Sequence, residues 1–177
     1  MQKTFQVELC VSSKLHDLTA KSAKTTLWEM GYKGLSDVSR EIYFSFDVLA
    51  GNNNEAELIV ENIVKKTSLF VNPNKDSYKI GFRRSGSDVR EVNVLIWYID
   101  DRRGEIIKHQ LKNQGFDRIL DVFQGELWHL FLSSKEELVY EIIEAFLVNP
   151  HSQKYCILKE KNGTVLFYYF VDKKAGK

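Results

Sequence analysis

Histidine and cysteine are the residue types in this chain best suited to bind a metal or act as a nucleophile. Cys10 and Cys156 each lie in an apolar, alternating stretch, which favours buried free thiols over a disulfide framework. The histidines fall in separate predicted elements without the spacing of a zinc site: His16, His109, His129 and His151. We therefore expect no metal, no cofactor and no cysteine nucleophile.

Two other segments contain residue types that are common in active sites. Residues 100–105 read Asp-Asp-Arg-Arg-Gly-Glu, and a charge run of this kind in a turn more often forms solvated ion pairs within itself than a catalytic loop. Residues 81–86 include Arg83 and Arg84 but lack the glycine spacing of a phosphate-binding loop. The sequence therefore predicts no catalytic residue in this chain.

Composition and charge narrow the range of partners. The chain has 177 residues and 44% hydrophobic content, with 25 Lys and Arg against 24 Asp and Glu. This balance gives no long-range positive field for nucleic acid or for an anionic membrane surface. No apolar run approaches the roughly 20 residues that span a bilayer, and the first residues lack a signal peptide's apolar region. We expect a cytoplasmic protein with no nucleic-acid or membrane partner.

An internal repeat is the strongest organising feature of the sequence. A constant offset of 84 residues, as from Asp17 to Asp101, pairs five positions in order, and the offset becomes 77 after a shortened loop, as from Asn72 to Asn149. The matched pairs are Asp17 and Asp101, Leu27 and Leu111, Gly31 and Gly115, Asp37 and Asp121, Val38 and Val122, Asn72-Pro73 and Asn149-Pro150, and Tyr78 and Tyr155. The pattern predicts a tandem duplication.

Each copy has the same series of predicted elements. An alternating strand comes first, at residues 5–11 and again from residue 92, and a helix with a glycine after its end follows. Residues 35–47 and 119–132 predict long, bent strands or tight hairpins. A second helix and a last strand complete each copy. These patterns predict an α+β fold with antiparallel sheet and helices on one face.

The boundaries of the two modules follow from turn composition. Residues 1–82 form the first predicted module, 83–91 a linker, and 92–177 the second module. Asn162 and Gly163, between two strand-like runs, predict a hairpin that adds an extra C-terminal strand.

Both copies resemble the PurS subunit of phosphoribosylformylglycinamidine (FGAM) synthase. Members of that family have an Asp-Pro-x-Gly turn before the first helix, then a Leu and a Gly, a Val-Arg-x-Gly-Lys strand entry, and an Asn-Pro turn followed by Tyr. Copy one departs from the pattern at Leu18 and Ala20, and the basic pair of the strand entry is missing in both copies. The matching motif residues are Asp17, Leu27, Gly31, Val38, Asn72, Pro73 and Tyr78 in copy one, and Asp101, Gly104, Leu111, Gly115, Val122, Gly125, Asn149, Pro150 and Tyr155 in copy two.

This resemblance implies a specific biological role. PurS-like modules are related to the ferredoxin-like fold, lack catalytic residues, and dimerise to link a large ATP-dependent synthetase subunit to a glutaminase subunit in purine biosynthesis. A tandem of two modules would be a covalent pseudo-dimer within such a ligase complex, and self-association is a further expectation.

Two alternatives and one surface residue remain open at this level. A pair of α+β modules could instead be a small-molecule sensor of the amino-acid-binding regulatory type, and a stand-alone enzyme would require clustered titratable groups. Among the three tryptophans, Trp28 has the most polar surroundings and is the best interface candidate. The Asn-Pro turns could stop a helix or form a partner contact.

Overall fold

The computed structural model describes residues 2–81, 90–133, 137–161 and 164–169, and it has an α+β fold. Most predicted elements are present with closely similar bounds, and residues 35–50 form one continuous strand rather than a hairpin. The elements are β1 (Lys3–Ser13), α1 (Leu18–Glu29), β2 (Leu35–Ala50), α2 (Asn53–Lys66), β3 (Asp76–Ile80), β4 (Arg90–Tyr98), α3 (Arg103–Asn113), β5 (Ile119–Leu132), α4 (Glu137–Ile142) followed by a π-helical turn (Ile143–Leu147), β6 (Gln153–Lys161) and β7 (Thr164–Tyr169).

The chain folds into two compact units, and each unit combines segments from both halves of the sequence. Unit 1 contains Met1–Leu15, Glu41–Phe82 and Asp101–Gly125. Unit 2 contains His16–Arg40, Arg83–Asp100 and Glu126–Lys177. None of the helices among the described residues is long and apolar enough to cross a membrane.

Unit 1 has β1 at the centre of its strands. β1 pairs antiparallel with β2 on one side and with β3 on the other, so that Leu9 lies opposite both Phe44 and Ile80. Alternate strand residues point to the face that α2 and α3 cover, as the period of two in a strand requires. The core contains Val7, Leu9, Val11, Phe44, Phe46, Val48, Ala56, Val60, Ile63, Val64, Phe70, Leu111, Ile119 and Val122, among others.

Unit 2 is built around β4. This strand pairs antiparallel with β5 and with β6, so that Val94 lies opposite Trp128 and Ile157. β7 then pairs antiparallel with β6 as the last strand, which confirms the expected extra C-terminal strand, whereas the predicted turn at Asn162 and Gly163 lies outside the described residues. Helices α1 and α4 cover one face, and the core contains Ala20, Ala23, Leu27, Leu35, Val38, Val94, Ile96, Trp128, Leu130, Leu132, Val139, Ile142, Ile143 and Ile157, among others.

The first helix of each half of the sequence packs in the core formed mainly by the other half. Helix α1 belongs to the first half of the sequence but packs in unit 2, whereas α3 belongs to the second half but packs in unit 1. The compact units therefore do not follow the expected boundaries at residues 82 and 92. The expected linker at 83–91 lies almost entirely outside the described residues.

Candidate functional site

The expected motif residues are brought together across the sequence halves. Unit 2 combines the first Asp turn with the second Asn-Pro turn: Asp17, Gly31, Asn149, Pro150 and Tyr155. Unit 1 combines the first Asn-Pro turn with the second Asp turn: Asn72, Pro73, Tyr78, Asp101, Gly104, Gly115 and Gly125. Each unit thus has one copy of each kind of motif.

Asp17 forms a polar corner in unit 2 at the start of α1. Its carboxylate accepts hydrogen bonds from the main-chain amides of Thr19 (2.8 Å) and Ala20 (3.2 Å), as an N-cap residue does. The Nε of Arg40 lies 3.0 Å from the same carboxylate. Burial acts to raise the pKa of Asp17, but the hydrogen bonds from Ala20 and Arg40 outweigh it and lower the pKa below its usual value. Asp17 is therefore ionised at neutral pH.

Arg40 connects this corner to the aromatic ring of Trp128. The guanidinium carbon lies 5.6 Å from the centre of the Trp128 ring, within cation–π distance, and Nη1 lies 3.4 Å from Glu126. Arg40 has no counterpart in the PurS-like motif, because it stands one residue beyond the Arg position of that motif, which Ser39 occupies. A lone Arg in a strand otherwise gives no signal of its partners.

Beside the corner, an open groove of about 430 Å³ lies between α1 and the π-helical turn. Trp128 and Ala23 are buried there, whereas Leu18 at the rim is 71% exposed. The lining residues are Leu18, Thr19, Ser22, Ala23, Thr26, Trp128, Phe146 and Leu147. An apolar groove next to an ion pair is suited to bind another protein's side chain, because it offers both buried area and a fixed polar contact.

The corresponding Asp turn in unit 1 is arranged differently. Asp101 accepts a hydrogen bond from the main-chain amide of Arg103, and the Arg103 side chain pairs with the same carboxylate. The Arg103 hydrogen bond lowers the pKa of Asp101 below its usual value. Within residues 100–105 this charge pairing is the self-paired turn that the sequence predicts. A Cβ atom at Gly104 would overlap the carbonyl oxygen of Val122, so glycine allows α3 to approach β5 closely.

The two Asn-Pro turns have the same hydrogen bonds. The Asn72 side chain accepts from the Asn74 amide at 3.1 Å, and the Asn149 side chain accepts from the His151 amide at 3.0 Å. In both turns the Asn main-chain amide donates to a side chain four residues later, that of Asp76 or of Gln153. These contacts make each turn a rigid entry to the last strand.

The glycines after the first helices also adopt matching conformations. Gly31 has φ of 100° and Gly115 has φ of 83°, in the left-handed region that glycine enters at little cost. In both cases the amide of the next residue donates to a leucine carbonyl of the helix at 3.0 Å, from Tyr32 to Leu27 and from Phe116 to Leu111. Gly31 and Gly115 therefore end the two helices from the position directly after the C-cap residues Met30 and Gln114.

A buried polar cluster in unit 2 was not anticipated from the sequence. The Nδ1 of His129 lies 2.9 Å from Glu91 Oε1 and 2.6 Å from Asn93 Oδ1. Nδ1 is therefore within hydrogen-bonding distance of both side chains. All three residues are buried, so the cluster links β4 to β5 inside the unit. In the sequence, Asn93 and His129 are polar residues that alternate with apolar ones, a pattern that does not show whether their face of the strand is buried.

The remaining candidates for chemistry are consistent with structural roles. Burial raises the pKa of both Cys10 and Cys156 to about 12, and both are buried free thiols as expected. In the part of the chain that the structure describes, no group of three His, Cys, Asp or Glu side chains could hold a metal ion. Arg83 and Arg84 lie outside that part.

Trp28 is the most exposed of the three tryptophans, and Trp97 is half-buried. Trp28 is 43% exposed, and Trp128 is 6% exposed. The indole Nε1 of Trp28 donates to the Leu35 carbonyl at 2.6 Å, and the Nζ atoms of Lys24 and Lys33 lie 5.8 and 5.4 Å from the ring centre. These contacts hold a large aromatic ring at the surface.

Comparison with known proteins adds no relative. No protein-family model matches the sequence, and no curated protein matches it at a significant level. The function of the chain is therefore inferred from its own residues and fold.

Proposed function

We propose that this chain is a non-catalytic bridging subunit of an FGAM synthase complex, in which it links the ATP-dependent synthetase subunit to the glutaminase subunit. In this proposal the chain is a tandem of two PurS-like modules fused into a covalent pseudo-dimer. Its own contribution is to bind and orient partners, and its place of action is the cytoplasm.

The exchange of first helices between the two cores is the observation that carries the proposal. Core residues at an offset of 84 lie in opposite units: Leu27, Leu35 and Val38 in unit 2, and Leu111, Ile119 and Val122 in unit 1. In a symmetric dimer, an element that one subunit contributes to its partner's core is matched by the same element of the partner in its own core. Reciprocal exchange of this kind is what the fusion of two intertwined subunits would produce.

Matching polar contacts support the duplication on which the proposal depends. Lys24 pairs with Asp37 at 2.9 Å in unit 2, and Lys108 pairs with Asp121 at 3.1 Å in unit 1. The offset between these pairs is 84 at both positions. Together with the shared Asn-Pro turns and glycine caps, they repeat the same local structure with different surrounding residues, which is expected of diverged copies rather than of chance similarity.

Fusion has a physical advantage for a bridging subunit. A linker that joins two binding modules replaces a bimolecular association with an intramolecular one, at an effective concentration of about a millimolar for short flexible linkers. The two halves can then diverge, as Asp17 with Arg40 and Asp101 with Arg103 have done. Divergence would let each unit contact a different partner.

Reconstitution tests the proposal directly. The synthetase and glutaminase subunits from the same organism are purified separately and mixed with and without this chain. We expect a ternary complex in analytical ultracentrifugation, and glutamine-dependent FGAM formation only when all three are present. Ammonia-dependent activity of the synthetase subunit serves as the control, since it does not need the bridge.

Surface variants identify the contact within that assay. Leu18→Arg places a charge in the groove of unit 2, and Leu15→Arg is its matched control, because the two leucines are 71% and 68% exposed. We expect Leu18→Arg to weaken the ternary complex at least tenfold and Leu15→Arg to leave it unchanged. Failure of the wild-type chain to bind either subunit would exclude the bridging role. A rise in Tm with an amino acid or nucleotide would instead favour the regulatory alternative.

A further inference from the structure

The outer edge of β3 in unit 1 exposes main-chain hydrogen-bonding groups. In the described part of the chain β3 has a strand neighbour, β1, on one side only. The Gly81 amide donates to the Glu8 carbonyl, and the Lys14 amide donates to the Lys75 carbonyl. Since these bonds alternate along an antiparallel pair, the main-chain groups of Tyr78 and Ile80 point away from β1.

An apolar groove lies beside this edge. It has a volume of about 420 Å³, lies between α2 and β3, and is entirely within unit 1. Leu58 is 63% exposed at its rim, and Tyr78 and Ile80 are half-buried along its floor. Free main-chain groups next to apolar side chains are the two features by which a sheet edge recognises an added strand.

Unit 2 shows what covers the comparable edge there. β6 follows an Asn-Pro turn and pairs with the first strand of its half, as β3 does. β7 pairs antiparallel with β6 from Cys156 to Lys161, and its sequence is Thr-Val-Leu-Phe-Tyr-Tyr. In unit 2 the edge that corresponds to β3 is therefore covered by an extended, largely apolar strand, and a segment of the same kind would suit the β3 edge.

The charged side chains around the groove indicate which kind of partner segment it would favour. Glu61 at the groove pairs with Lys65 (2.7 Å), and Lys79 pairs with Glu41 (3.1 Å). Glu57 receives a hydrogen bond from the neutral amide of Asn53, so its negative charge is not balanced by that contact. The groove consequently favours a segment with a basic residue next to its apolar ones.

We infer that the β3 edge is a docking site for an extended segment of a partner protein. The segment adds antiparallel to β3, places an apolar side chain between Leu58 and Tyr78, and places a basic side chain near Glu57. The inference is independent of the proposed function, because any protein with such a segment could use the edge. A second copy fits less well, since antiparallel pairing of two β3 strands would bring two grooves together, each with its own Glu57 carboxylate.

A designed peptide tests the inference on the full chain. The probe is a synthetic, capped six-residue peptide in which threonine alternates with valine and lysine, and a scrambled peptide with N-methylated amides is the control. Binding is followed by NMR titration, together with hydrogen exchange of the Tyr78 and Ile80 amides. We expect saturable binding of the probe alone, with exchange at both amides slowed at least fivefold.

Two pairs of variants locate the probe. Leu58→Lys and Glu57→Lys should each weaken binding at least fivefold. Leu15→Lys, at a similarly exposed leucine in the same unit, and Glu29→Lys should leave it unchanged. Equal binding by all four variants, or no protection of the two amides at saturation, would overturn the inference. Protection of both amides in the free chain, or dimerisation abolished by Leu58→Lys, would show that this chain occupies its own edge and would also overturn it.

Discussion

Truncation of Leu27 or Leu111 should destabilise strands that come from the opposite half of the sequence. Both side chains are fully buried, and they occupy equivalent positions in α1 and α3. Leu27 packs in the core of unit 2 and Leu111 in the core of unit 1. Leu27→Ala should therefore loosen β4 and β6, which lie far away in the sequence, and Leu111→Ala should loosen β1 and β3.

The magnitude follows from the size of the cavity. Replacing a fully buried leucine by alanine costs 2 to 5 kcal/mol, and about 3 kcal/mol is a central value. At roughly 3 °C for each kcal/mol in a chain of this length, Tm should fall by about 9 °C. For the amides that open with the affected unit, about 3 kcal/mol corresponds to an exchange rate about 160-fold faster.

Hydrogen exchange measured by mass spectrometry separates the two outcomes, because it reports on each strand. Leu15→Ala, at a side chain that is 68% exposed, is the control and should change stability by less than about 0.5 kcal/mol. If Leu27→Ala accelerated exchange in β1 and β3 rather than in β4 and β6, the assignment of α1 to unit 2 would be refuted. Equal acceleration in all strands would also contradict it.

Two further predictions concern the Asp turns. Gly104→Ala should lower the free energy of unfolding by about 2 to 3 kcal/mol, because the added methyl group would overlap the Val122 carbonyl oxygen. Gln110→Ala, on the exposed side of α3, is the control in the same thermal unfolding measurement. Equal stability of the two variants would contradict the close approach of α3 to β5. The lowered pKa of Asp17 gives stability that is complete above its unfolded pKa of about 4 and is lost as the pH falls through the folded pKa. Asp17→Asn should therefore flatten the loss of stability that occurs as the pH falls below about 4, and a titration by NMR that finds an ordinary pKa for Asp17 would contradict this.

Much of the secondary structure could be predicted because its signals are local. Apolar alternation gave β1 and β4, and the helical spacing of Ala20, Ala23 and Leu27 gave α1. Each signal reflects side chains only a few residues apart. Gly31 and Gly115 were expected at the helix ends for the same reason, because the position after a helix favours a residue that can adopt a positive φ.

The candidate site was predicted only in part. Asp17 was selected from the sequence, but Arg40, which pairs with it, and Trp128, whose ring Arg40 contacts, were not, because they come from β2 and β5. The buried contact of His129 with Glu91 was likewise invisible, since a polar residue on the second face of a strand gives the same pattern whether that face is buried or exposed.

The sequence by itself determined the order of elements, the positions of the caps and turns, and the repeat offset between the halves. Only the tertiary structure decided which helix covers which strands. The apolar face of α1 would suit either core, so composition alone cannot choose between them. The 16-residue strand β2 begins in unit 2 and ends in unit 1. Helix α1, which precedes β2, therefore packs in a different unit from α2, which follows it, and this change of unit along the chain has no local sequence signal.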